Sequence, residues 1–217
     1  MVHVTKSGNI SNSVIVKRFM RALCIVAFVV TQASAVAALA QSAGTCAATY
    51  SAPAKAGMTL TIESRPAEAV LTGSDREGIR VSCTVSESSR AAEVKIHFEQ
   101  TGDFGKLRVD GGPSNNMHIR IELPRKTNLK LRVPAGEVRV DQLAGDKDIL
   151  LKAGEIVVSG VTASEYRSVD ASVGVGAVSA EAWGVRKGGF LRNFTKESAG
   201  GTYRLHAHLI SGNIQLD

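Results

Sequence analysis

The stretch Leu131–Gly160, LRVPAGEVRVDQLAGDKDILLKAGEIVVSG, decides the fold. Within it AGEVRV (135–140) returns as AGEIVV (153–158), a spacing of 18 residues. The same frame, a glycine with small or apolar residues at +2 and +4, recurs at Gly176-Ala177-Val178-Ser179-Ala180 and at Gly212-Asn213-Ile214-Gln215-Leu216. The leading glycines Gly136, Gly154, Gly176 and Gly212 are 18, 22 and 36 residues apart. A period near 20 marks a repeat in which each supersecondary unit buries its apolar face only against its neighbours. Glycine turns the corner because it accepts φ > 0 without steric cost. The two residues after it then point inward and pile onto their counterparts. The gap of 36 is twice 18, which reads as a coil that lacks its marker. The expected fold is therefore all-β: a single-domain right-handed β-solenoid, β-helix-like, each coil stacked on the last. The alternative is a Gly-rich antiparallel β-sandwich whose turns resemble one another by coincidence.

Outside the repeat the pattern is alternation, and no stretch after Gln41 has helical periodicity. Leu60 and Ile62 share a face, as do Ile79, Val81, Cys83 and Val85; Val94, Ile96 and Phe98; and Met117, Ile119, Ile121 and Leu123. Leu129, Leu131 and Val133 form another such set, and Tyr203, Leu205, Ala207 and Leu209 a further one. Side chains alternate across a strand, so each segment has one buried and one wet face. Gly102-Asp103, the run Gly111–Asn116, Pro134-Ala135-Gly136 and Gly188-Gly189 separate them as turns.

The N-terminus reads as an export signal. An apolar run from Ala22 to Val30 follows Lys17, Arg18 and Arg21 and precedes the small-residue segment TQASAVAALA. That order of charge, short apolar core and small residues is a secretory leader. Thr31, Gln32 and Ser34 cut it short of the about 20 apolar residues of a membrane span. Ala38-Leu39-Ala40 places cleavage before Gln41, with Ala33-Ser34-Ala35 second, and Met20 is the expected true start. The expected organisation is a signal peptide over 1–40, a linker over 41–56 and the β domain over 57–217, with no membrane span after cleavage and an exported product in the periplasm, at the cell surface or secreted. Residues 1–40 hold four basic and no acidic residues, so the remainder carries 22 Lys and Arg against 20 Asp and Glu. The pI near 9.4 thus belongs mostly to the leader. It gives no electrostatic footprint for nucleic acid. With Cys24 in the leader, Cys46 and Cys83 are an even pair in an oxidising compartment and read as a disulfide; free thiols or a lipid-modified Cys46 are the competing readings, and Ala43-Gly44-Thr45 is a poor lipobox.

The run quoted at the outset, with the ending GGTYRLHAHLISGNIQL (200–216), resembles the bacterial putative-adhesin family, well over residues 117–217 and loosely over 50–116. The resemblance implies an exported or envelope-associated β-solenoid, and it brings no catalytic residues.

Few residues suggest chemistry. His206 and His208 form an H-x-H on one strand face, but zinc needs further ligands and Arg204 shares that face. His97 and His118 also fall on wet faces. Asp146 and Asp148 are a carboxylate pair of the kind used in glycoside hydrolysis, yet they follow Gly145, where Asp commonly bonds to backbone. Ser159 and Ser211 lack a nucleophile-elbow setting. If the coils at 135 and 153 stack in register, Glu137 lies about 4.8 Å from Glu155, solvated at a corner or bridged by a cation such as Ca²⁺. No catalytic, cofactor or metal residues are assigned and no cofactor is expected. The expected function is a non-catalytic envelope or cell-surface protein, an adhesin or binding scaffold. It would present Lys130, Arg132, Arg139, Arg204 and Gln215 to a surface, glycan or envelope-protein partner. The alternatives are a polysaccharide-acting enzyme on the same scaffold and a periplasmic scaffold or regulatory partner of a membrane complex.

Overall fold

A computed structural model describes residues 40–113 and 116–217, together with Met1 and His3. The leader and the start at Met20 lie outside the described residues. Among the described residues no helix is long and apolar enough to cross a membrane.

The fold is one thirteen-stranded mixed sheet. The strands are β1 (Ala40–Thr45), β2 (Tyr50–Ala52), β3 (Thr59–Ser64), β4 (Glu68–Ser74), β5 (Ile79–Val85), β6 (Lys95–Thr101) and β7 (Phe104–Asp110). They continue as β8 (Met117–Pro124), β9 (Asn128–Asp141), β10 (Lys147–Ser159), β11 (Tyr166–Ala180), β12 (Val185–Glu197) and β13 (Tyr203–Leu216). Among the described residues, helical structure is confined to short 3₁₀ turns at Ser88–Glu93, Ala163–Glu165 and Glu181–Trp183. Residues 41–56, expected to be a linker, carry β1 and β2, which pair with β6 and β5.

Glycine explains the length of the late strands. β9, β10, β13 and β11 run 13 to 15 residues and pass through Gly136, Gly154, Gly212 and Gly176 at φ of +131°, +128°, +134° and +141°. A methyl group at Gly154 would sit 1.8 Å from the Gly136 carbonyl oxygen, and one at Gly212 would sit 1.7 Å from that of Gly154. The four corners therefore stack backbone on backbone, with no room for a side chain between them. Each late strand forms one tier with two arms, one before the corner and one after. Earlier in the chain two strands share that work. β3 pairs with the first arm of β9 and β4 with its second. β7 and β8 in turn pair with β3 and β4.

The inward residues form ladders across the tiers. Ile62, Leu131, Ile149, Ala207 and Ala171 are in register along one arm, and Ala69, Val138, Ile156, Ile214 and Val178 along the other. All are buried. Every apolar set assigned from alternation faces this core, although Cys83 and Tyr203 are only partly covered.

Three expectations need correction. The tiers do not stack in chain order: β13 lies between β10 and β11, so the glycines follow 136, 154, 212, 176. The long gap before Gly212 holds no unmarked coil. It holds β12, which turns back antiparallel along β11 before the chain enters the space beside β10. The antiparallel sandwich is also excluded for this half, because β9, β10, β13 and β11 are mutually parallel. At the opposite end Cys46 and Cys83 form a disulfide, with Cα atoms 5.3 Å apart, fastening the β1–β2 connection to β5.

Candidate functional site

Outward residues form ladders as regular as the inward ones, and the fold offers two such polar faces. On the first-arm face, Lys130, Asp148, His206 and Asp170 stand in register, and beside them Arg132, Leu150, His208 and Ser172. Arg132 donates to the Asp148 carboxylate at 2.5 Å and to its carbonyl at 2.9 Å. His206 Nδ1 lies 3.6 Å from Asp170, and His208 Nδ1 lies 2.8 Å from the Ser172 hydroxyl. The second-arm face carries Glu137, Glu155 and Asn213 in register. Glu137 accepts from Arg139 at 3.2 Å.

The five residues expected to form a single binding flank are split between these faces. Lys130, Arg132 and Arg204 lie on the first, Arg139 and Gln215 on the second. Arg132 and Arg139 are engaged by carboxylates, and Gln215 donates to Asp217 at 2.7 Å. The predicted register of Glu137 over Glu155 is present. Asp146 and Asp148 do not converge. Asp146 accepts from the Arg204 backbone N–H at 2.8 Å, while its own N–H donates to Asn128. It is thus a turn residue, and Asp148 belongs to the face. His118 meets Glu68 at 2.8 Å on the second-arm face, and His97 stands opposite Arg108. Among the described residues no three His, Cys, Asp or Glu side chains converge as a metal cluster.

The sequence reading missed the Ser172–His208 contact and the placement of His206 between Asp148 and Asp170. Both depend on β13 entering between β10 and β11, and no residue type signals that. Chemically, Ser172–His208 is half of a nucleophilic arrangement. It lies on the ladder between β11 and β13, each of which is also paired on its other side, to β12 and β10. A recess of about 510 Å³ lies elsewhere, between Ser51–Lys55 and Glu77–Arg80.

Buried chemistry occurs at one further point. Lys147 occupies the ladder position between Leu129 and Leu205 and is 3% exposed. Its ammonium donates to the Tyr166 hydroxyl at 2.6 Å and to the Gly145 carbonyl at 3.1 Å. Burial lowers its pKa to about 8, against the opposing pull of Glu165 and Asp146. Burial likewise pushes the Tyr166 phenol up. At the surface, the Lys106 ammonium holds the Glu63 carboxyl below its ordinary value.

No family model matches the sequence, and no curated protein matches it. Among solved structures, it is similar to a putative cell adhesion protein from Clostridium sporogenes, at a TM-score of 0.51 and 15% identity. The likeness covers 78% of this chain and 98% of that one. At that identity it is a likeness of fold.

Proposed function

We propose that the chain is an exported, non-catalytic β-solenoid protein of the cell envelope or surface, adhesin-like, that binds an extended partner along its first-arm face. Each tier would be one turn of the solenoid. The observation that carries the reading is the ladder itself. Arg132–Asp148, His206–Asp170 and Ser172–His208 lie on adjacent parallel strands, a repeat of about 4.8 Å per tier. A flat row of alternating charge, imidazole and hydroxyl suits a polymer that meets many weak contacts at once, as a surface glycan does. The fold likeness to a protein described as a putative cell adhesion protein supports the same reading. The Cys46–Cys83 disulfide fits an oxidising location.

The test is retention of the protein on polysaccharide prepared from its own envelope. R132A/H206A/H208A is expected to weaken retention at least tenfold, and R139A, on the other face, to leave it unchanged. Equal retention of all three proteins would remove the first-arm face from the account.

A further inference from the structure

The core ladders do not end alike. At β12, the last strand of the sheet, the row Leu151–Leu209–Val173 ends on Arg192 and the row Ile156–Ile214–Val178 ends on Lys187. Leu205–Val169 ends on Lys196, whereas Ala207–Ala171 ends on Phe194. Three cations therefore occupy core-facing register positions of the terminal strand, which also carries the buried Phe194, its ring centroid 5.6 Å from that of Trp183. Lys187 donates to the Asn193 carbonyl at 3.0 Å. Among the described residues none of the three cations has a carboxylate in ion-pair range, and the only acid on β12 is Glu197, bonded to Ser168.

Inward-pointing charge on a terminal strand blocks addition of another strand. That accounts for the cations and leaves the neighbouring residues unexplained. At the β12 corner Phe190 is 73% exposed and Leu191 85%, next to Val175 at 48% and close to Ile210 at 56%. Leu191 holds φ of +50°, an outlying conformation for a bulky side chain. A strand that only had to stop the sheet would not carry a protruding Phe-Leu pair on a strained backbone.

We propose that this end of the molecule docks on an anionic lipid bilayer, with Phe190 and Leu191 entering the headgroup boundary and Lys187, Arg192 and Lys196 meeting lipid phosphates. Charge complementarity selects the occupant: unpaired cations around an exposed apolar tip match an anionic surface that has an apolar interior. The docking end is distinct from the first-arm face, and the two proposals stand or fall separately.

The test is flotation with vesicles of phosphatidylcholine, with and without phosphatidylglycerol, using protein recovered from exporting cells. Phe104→Ser alters an exposed aromatic elsewhere in the chain and serves as the control. Binding is expected only with phosphatidylglycerol and is lost at high salt. K187E/R192E/K196E is expected to lower partitioning at least about 100-fold, and F190S/L191S at least about 10-fold, with F104S unchanged. The parent protein decides the matter even where a variant misfolds: equal binding to both vesicle types, or to neither, overturns the proposal. So does self-association of the parent that F190S/L191S abolishes, which would assign this end to a second copy of the chain.

Discussion

Gly212 holds φ of +134°, and a methyl group there would lie 1.7 Å from the Gly154 carbonyl oxygen. Strain and overlap act together, because the oxygen belongs to a backbone fixed by its own ladder bonds. Gly212→Ala is expected to cost at least about 3 kcal/mol, measured by denaturant unfolding. Gly200→Ala, where nothing lies within 4 Å, should change little. Lys147 is a residue-scale exception of another kind: a cation where the ladder calls for leucine. Its pKa falls from 10.5 to about 8 on folding, so between those values the unfolded chain binds more protons. Stability contributed by this site should rise with pH across that window, by at most about 3 kcal/mol. The raised phenol of Tyr166 acts oppositely once pH passes the ordinary tyrosine value. Thermal unfolding from pH 7 to 10 should show the rise in the parent, and Lys147→Met should flatten it. A parent with no rise would mean that Lys147 is solvated. Alternation exposes the leucines and valines of these ladders to a reader of sequence but hides Lys147, because a lysine in that pattern looks like a wet position.

At the scale of elements, the strands were legible wherever one face is buried, since that imposes a period of two. β12 was not, because at the end of the sheet its inward positions are Lys187, Arg192 and Lys196 and the alternation disappears. The glycine corners were legible for the same reason that their order was not. All four carry one frame, so any could stack on any other, and only the return of β13 beside β10 chooses. β1 and β2 were missed because AQSAGT and YSA are short and, apart from Tyr50, offer only small or polar residues; the disulfide adds a covalent tie to their pairing with β6 and β5. Cys46 and Cys83 are 37 residues apart, and closing that interval constrains the unfolded chain by about 4 kcal/mol in the entropy model. Reduction is expected to open this end first. Amide exchange should speed up at Gly44 and its β6 partner Ile96 while the second arms of β9, β10 and β13 stay protected. Uniform acceleration would show instead that the chain unfolds as one unit.

For the molecule as a whole, the stack separates two kinds of surface. The long faces repeat polar groups at the spacing of the tiers, and the β12 end carries Lys187, Arg192 and Lys196 on the same strand as the exposed Phe190 and Leu191. Sequence patterning reached the first of these through the repeat, although it assigned five residues to one flank that the corner divides in two. It could not reach Ser172–His208 or Asp148–His206–Asp170, since each is made by strands distant in the chain. Those ladders lie on outward strand faces, and binding along them is the proposed role. The most direct test is a reducing-end assay on envelope polysaccharide incubated with the purified protein, read together with how much protein the polysaccharide retains. The account predicts that protein is retained and that reducing ends stay at their starting level. New reducing ends that rise with time and vanish in Asp148→Asn or Asp170→Asn would contradict it, and would make the first-arm face an active site.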